Sequence, residues 1–284
     1  MATSPSTSQA QMCLMCKKNG RDDCSVFCRS CELEYPYCYE CGEKERNIPY
    51  KLCSDCYSKT RSERRAIKEI KKQPLLSRLD AKKAEYQRAH EIFKSKWVKY
   101  LPVPEPEAIF AVSNSKIWES FQKYAKDLKE KDSDATTDYF FHGTTLQCDL
   151  LEQNETCDDS NCGICGIVAR GFDKSLIGKN IPRFKRYGEA FYLAPNSSKC
   201  HDYTQGKEDI GMRAQLLCLV ACGTKFETTK DHTRLMKAPE KCDSVYGNSG
   251  GTLNYEEVAI YESRAILPEF VIVYSKNGVH KIAK

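Results

Sequence analysis

Three separated stretches of this 284-residue chain hold the side chains most able to do chemistry. Phe141-His142-Gly143-Thr144 offers an imidazole, a backbone bare of side chain and a hydroxyl. Gly188-Glu189-Ala190-Phe191-Tyr192-Leu193-Ala194 offers a tyrosine on an apolar strand, and a second, Tyr203, follows eleven residues on. Tyr255-Glu256-Glu257-Val258-Ala259-Ile260-Tyr261 offers a carboxylate on an alternating strand. Aromatic faces orient a flat ligand, and a carboxylate beside them can stabilise a developing cation or take a proton from a nucleophile. Adjacent strand residues face opposite ways, so Glu257 shares a face with Tyr255 and Tyr261, and Glu256 with Val258 and Ile260.

In that order the motifs resemble the catalytic signature of the diphtheria-toxin-like ADP-ribosyltransferases, the poly(ADP-ribose) polymerase family. The likeness is nearest to fungal-type members with a cysteine-rich insert after the histidine. It runs from about Pro104 to Tyr274 and takes in Ile117-Trp118-Glu119-Ser120-Phe121, similar to the family's entry helix, and Asp243-Ser244-Val245-Tyr246-Gly247. Gly188 to Tyr203 keeps the family's sixteen-residue frame without a gap.

The resemblance implies an α+β fold, an ADP-ribosyltransferase split-sheet catalytic domain with two small antiparallel sheets around an NAD cleft. It implies transfer of ADP-ribose from NAD to protein acceptors with release of nicotinamide, and a catalytic triad of His142, Tyr192 and Glu257. NAD as substrate would be held by His142, Gly143, Thr144, Tyr192, Cys200 and Tyr203. In this scheme Gly143 gives its N–H and C=O to the nicotinamide carboxamide, where a side chain would obstruct close approach. His142 and Thr144 bond ribose hydroxyls, Tyr203 stacks on the nicotinamide, Tyr192 walls the other side, and Glu257 accepts from the ribose 2′-OH. Cys200 stands where many members carry a small hydroxyl residue and is a weaker donor. Ala190 replaces a frequent glycine. The alternative is a catalytically weak or inactive zinc-dependent protein-interaction or ubiquitin-ligase scaffold on the same fold.

The elements that must position these groups are read from periodicity. Strands are expected at 108–112, 139–142, 190–194, 215–222, 256–261 and 270–274, with the clearest helix over 115–130. Phe184-Lys185-Arg186-Tyr187 is expected to line the donor cleft, and the Gly/Ser-rich run 242–251 to form an acceptor-facing loop.

Seventeen of the 284 residues are cysteine, and they are clustered. Met1 to Gln11 is polar and Ser/Thr-rich, without the basic start and apolar run of a secretory signal, and no apolar run approaches the roughly 18 residues of a membrane span. The expectation is an intracellular protein, nuclear or cytoplasmic, whose paired cysteines read as metal ligands. Four CxxC pairs, Cys13/Cys16, Cys28/Cys31, Cys38/Cys41 and Cys53/Cys56, predict a two-zinc module with interleaved or sequential pairing. A segment so small needs the metals to fold. Its spacing resembles ZZ-type modules in the first three knuckles, and a protein partner is favoured over ubiquitin ligation or lipid binding. Cys148, Cys157, Cys162 and Cys165 have the number and closing CxxC of a one-zinc site clamping a polar insertion. Cys218 and Cys222 lie in an apolar run and read as core.

Residues 57–100 carry fourteen Lys/Arg against five Asp/Glu, while the whole chain is only +5. Helices are expected over 61–72 and 79–100, the second with an aromatic stripe of Tyr86, His90, Phe93, Trp97 and Tyr100 that would dock on the catalytic domain. The opposite basic face leaves a nucleic-acid backbone contact open. The expected organisation is a disordered N-terminus 1–11, a cysteine-rich two-zinc module 12–58, a basic helical linker 59–103 and a catalytic domain 104–284.

Overall fold

The computed structural model describes residues 54–100, 102–132, 135–178, 185–206, 211–251 and 253–275. The chain divides into two compact units, Met1–Ala66 and Ile67–Lys284. The expected disordered N-terminus and the zinc knuckles Cys13, Cys16, Cys28, Cys31, Cys38, Cys41 and Cys53 lie outside the described residues. Cys56 falls in the first turn of helix α1 (Ser54–Ile70), which starts earlier than expected and carries exposed Arg61, Arg64, Arg65 and Lys68.

The second unit is organised by a five-stranded antiparallel sheet. Its order is β1 (Leu76–Arg78), β2 (Pro106–Val112), β11 (Ile266–Ser275), β7 (Met212–Ala221) and β3 (Thr137–Gly143). The central strands are buried on both faces, which is why β7 reads as the nearly unbroken apolar run Ala214 to Ala221 rather than as an alternation. Pro268, which has no N–H to give, sits at the irregularity where β11 shifts register against β7.

Each face is covered by a helix. Leu217, Phe270, Ile272 and Tyr274 meet Ala89 and Phe93 of helix α2 (Ala84–Ser95). Leu216, Val271 and Val273 face the cluster that contains Leu150 of helix α4 (Leu150–Gln153) and Ile164, Cys165 and Val168 of helix α5 (Gly163–Arg170). Helix α3 (Ser115–Lys131) adds Phe121 and Leu128 beside Ala221 and Leu267. Full burial of Phe93 alone stabilises this docking by about 2–3 kcal/mol.

Helix α2 is shorter than the stripe predicted. A turn in which Lys83 N–H donates to Asp80 O precedes it, and after Ser95 the chain is drawn off the helix axis as Val98 and Lys99 N–H donate to Ser198 Oγ at 3.0 and 3.2 Å. Phe93 and Trp97 remain buried, but Tyr100 is fully exposed and leaves the stripe. His90 pairs with Glu105 at 3.2 Å. Pro74 ends α1, and the residues after it form edge strand β1 rather than the start of a helix.

A second sheet runs β5 (Phe191–Leu193), β10 (Glu257–Ile260), β9 (Ser244–Gly247) and β8 (Lys225–Thr228). Its β8/β9 pair is parallel, as is the two-stranded pair of β4 (Thr145–Leu146) with β6 (Gln205–Gly206), so the resemblance to two wholly antiparallel sheets holds only for the larger one. The sheets are joined where Phe141 and Ala194 exchange both backbone hydrogen bonds, at 2.8 and 3.0 Å. No helix among the described residues is long and apolar enough to cross a membrane.

Candidate active site

At that junction the chain encloses a cavity of about 960 Å³. The Phe141–Ala194 bridge places the end of β3 against β5, so His142, Gly143 and Thr144 reach the cavity from one sheet and Tyr192 from the other. Helix α6 (Ser197–His201) follows β5 and adds Lys199 and Cys200 to the wall, the turn after it adds Tyr203, and Glu257 enters at the start of β10. All the residues expected to bind NAD therefore line one space, though His142 and Glu257 lie 115 positions apart.

His142 Nδ1 lies 2.8 Å from the carbonyl oxygen of Tyr192. A carbonyl only accepts, so Nδ1 carries the proton and Nε2 keeps its lone pair. The ring of Phe172 meets the imidazole edge-on at 5.0 Å. Burial pushes the imidazole pKa below its ordinary value, with the bond to Tyr192 opposing, and favours the neutral form.

Tyr192 is held at its far end. Its hydroxyl donates to Gly188 O at 2.8 Å and accepts from Tyr187 N–H at 2.9 Å, so the ring is fixed as a wall. Burial raises this phenol's pKa. Gly188 has φ +69°, and a Cβ there would sit 1.8 Å from Leu235 O, so both conformation and space require glycine. Gly143 has a structural reason of its own, since a Cβ would stand 2.1 Å from Cys200 O. Tyr203 is 40% exposed and stands at the mouth.

Cys200 is buried and its thiol donates to Phe141 O at 3.1 Å. Burial pushes this thiol up to about 12, so it stays a protonated donor committed to the strand that carries His142.

Glu257 is 8% exposed and is held by two cations. Lys199 Nζ lies 3.2 Å from Oε1, and Arg186 Nε lies 3.9 Å from Oε2. The Lys199 ammonium also donates to Tyr255 O at 3.1 Å and Glu256 O at 3.2 Å, so it fixes the turn into β10 as well as the carboxylate. Burial lowers the Lys199 pKa, while Glu257 acts to raise it. Arg186 is itself paired with Asp231. Lys99, carried over the mouth by the segment after α2, pairs with Asp202 and lies 5.4 Å from the centre of the Tyr255 ring.

The motif reading missed Lys199. A single lysine among serines gives no charge pattern, and its partner lies 58 residues downstream. Two further expectations are corrected. Lys185 and Arg186 do line the cavity, but Tyr187 is 1% exposed and accepts the Tyr261 hydroxyl at its carbonyl, so it belongs to the core. The 242–251 run is not a loop throughout, because strand β9 occupies its middle. Leu253, Asn254 and Tyr255 reach the cavity instead.

The four cysteines of the insertion converge. The sulfurs of Cys148, Cys157, Cys162 and Cys165 all lie within 4.8 Å of one another, and Cys148 and Cys165 are 3.5 Å apart. Tetrahedral zinc with bonds of about 2.3 Å would set sulfurs about 3.8 Å apart, so the donor number, type and spacing fit. Gln147 N–H donates to Cys162 Sγ at 3.4 Å, a contact that favours the thiolate. Cys218 and Cys222 are fully buried core residues, as expected.

The family model for the poly(ADP-ribose) polymerase catalytic domain matches residues 83–269, well over half of the chain. The chain therefore belongs to that family, the class of NAD-dependent ADP-ribosyltransferases. The match starts at the residue before α2, the helix whose Ala89 and Phe93 pack under the sheet. Comparison with curated proteins found no match.

Proposed function

We propose that this chain transfers ADP-ribose from NAD to protein acceptors, with His142, Tyr192 and Glu257 as its triad. The observation that carries the proposal is the convergence of these three residues, from two sheets, on one cavity of about 960 Å³, within the size range of ligand sites.

Departing nicotinamide takes back the pyridinium charge as the C–N glycosidic bond breaks, so the enzyme must orient the donor and stabilise an oxocarbenium-like sugar. Gly143 offers its backbone polar groups to the carboxamide, and Tyr203 and Tyr192 hold the ring between them. The Nε2 lone pair of His142 and the hydroxyl of Thr144 serve ribose hydroxyls. Glu257 accepts from the ribose 2′-OH and takes the proton of an incoming acceptor. Lys199 and Arg186 hold the carboxylate in place. Cys200, already bonded to Phe141 O, contributes less to the carboxamide than a hydroxyl residue would.

Cys148, Cys157, Cys162 and Cys165 would hold one structural zinc, a closed site with no open coordination position. Residues 12–58 form the two-zinc, protein-binding module, and residues 59–103 the basic linker, whose exposed α1 face suits nucleic acid.

The test is incubation of the full chain with labelled NAD, read by mass spectrometry for linkage and extent. Self-modification lost in Glu257→Ala and His142→Ala supports the triad, and labelling unchanged in both defeats it. An unlabelled wild type that still binds a protein partner points instead to the scaffold.

A further inference from the structure

The cysteine cluster and the cavity meet at one short helix, whose cap residue Cys162 belongs to the cluster and also lines the cavity. Helix α5 turns Ile164, Cys165 and Val168 into the core and turns Gly163, Gly166, Ile167 and Arg170 toward the cavity, the i, i+3, i+4, i+7 pattern of a single face. With two turns and two glycines in its first four residues, GICGIVAR has little helical tendency of its own, so its ends must be held.

The C-terminal end is held by Asn114, whose Nδ2 donates to Val168 O and Ala169 O at 3.0 Å each. The N-terminal end has Cys162 as its cap residue and Cys165 in its first turn, so the cysteine cluster is its anchor. The loop leading into it, 154–161, contains no helix or strand.

From this anchor a short path runs to the donor motif. Gly163 N–H donates to Thr145 Oγ1 at 2.9 Å, and that hydroxyl donates to Asn161 O at 2.5 Å, so one side chain ties both flanks of Cys162 to the strand after His142. A Cβ at Gly163 would come within 2.3 Å of Thr144 Oγ1, which leaves no slack between the helix start and the motif.

We infer that the four cysteines are positioning residues for the donor: the metal they hold fixes α5 and, through Thr145, the Thr144 end of the cavity, and so sets affinity for the ADP-ribose part of NAD. The inference rests on reading the cavity as the NAD site. In this arrangement loss of the metal raises the KM for NAD and leaves turnover at saturation largely intact, because His142, Tyr192 and Glu257 are held by other contacts.

The experiment uses the full chain and two pairs of variants, with metal content, ADP-ribose affinity by calorimetry and kinetics in NAD. Cys157→Ser is expected to lose one zinc equivalent and to bind ADP-ribose about tenfold more weakly, with KM rising in step and kcat within about twofold of wild type. Cys157→His, which restores a ligand, is expected to recover both metal and affinity. Thr145→Val is expected to keep the metal yet lose affinity about fivefold, and Thr145→Ser to regain it, which covers the case in which Cys157→Ser does not fold. Metal content unchanged in Cys157→Ser, or ADP-ribose affinity unchanged in Thr145→Val, overturns the inference. A wild type that binds neither NAD nor ADP-ribose overturns the donor reading itself, and the two failures are thereby told apart.

Discussion

Lys199→Met is the perturbation most sensitive to whether Glu257, the carboxylate proposed for catalysis, is held by a built ion pair. The ammonium is all but inaccessible, with its side chain 9% exposed, and serves Glu257 Oε1, Tyr255 O and Glu256 O at 3.1–3.2 Å. Methionine keeps the apolar stem but leaves two carbonyls short of a donor and Glu257 with only Arg186, 3.9 Å away. Breaking one side of a buried pair costs about 3–5 kcal/mol. Arg186 offsets part of this, so about 3 kcal/mol is expected. For a domain of this size 1 kcal/mol moves Tm by roughly 2–4 °C, so thermal denaturation should fall by about 6–12 °C. Turnover should drop on the order of a hundredfold, as for loss of one preorganised group. Glu257→Gln strands the lysine charge in turn, and the double variant removes both charges. The double variant should therefore lose at least 1 kcal/mol less stability than the sum of the singles. Additivity within about 0.5 kcal/mol would refute the pairing.

Other outcomes follow from the same geometry. Cys200→Ser should raise NAD affinity about two- to tenfold with little change in Tm, since a hydroxyl that donates to Phe141 O still accepts from the carboxamide more strongly than a thiol does; unchanged affinity by calorimetry would remove Cys200 from the proposed NAD contacts. Gly143→Ala should abolish labelling and destabilise the domain by about 1–3 kcal/mol, because the new methyl meets Cys200 O. Burial lowers the pKa of both His142 and His201, so between their folded values and about 6.5 the unfolded chain binds more protons than the folded one. Stability should therefore be full above about pH 6.5 and fall on acidification, and urea titrations of His201→Gln should show a shallower fall than wild type.

The residues that meet at the cavity were legible because the short runs around His142, Tyr192 and Glu257 resemble the family's signature, each motif being local in the sequence. What joins them was not. The Phe141–Ala194 bridge uses backbone atoms, which no side-chain pattern encodes, and Lys199 is recognisable only beside a carboxylate 58 residues away. Strand and helix ends failed for a related reason. Ser198 Oγ captures the backbone at Val98 and Lys99 and so stops α2 early, although Trp97 stays on the apolar side. Tertiary hydrogen bonds override periodicity at such places.

The bridge also fixes how substitutions will sort. Contacts that hold the carboxylate come from α6 and from the segment ahead of β5, and contacts that hold the helix facing the cavity come from Asn114, the cap of α3, and the cysteine cluster. Among the described residues these two sets meet at the end of β3, where a Cβ on Gly143 would strike Cys200 O and one on Gly163 would strike Thr144 Oγ1, and through the ring contact of Phe172 with Phe191. Changes on the carboxylate side should lower turnover, and changes on the helix side should raise the KM for NAD. Residues 141–144, with Phe172 and Phe191, should do both. Combining Lys199→Met with Thr145→Val tests this directly, since effects through separate supports multiply in kcat/KM. A combined loss more than about threefold away from that product would show that the supports act as one unit, and the division between them would have to be abandoned.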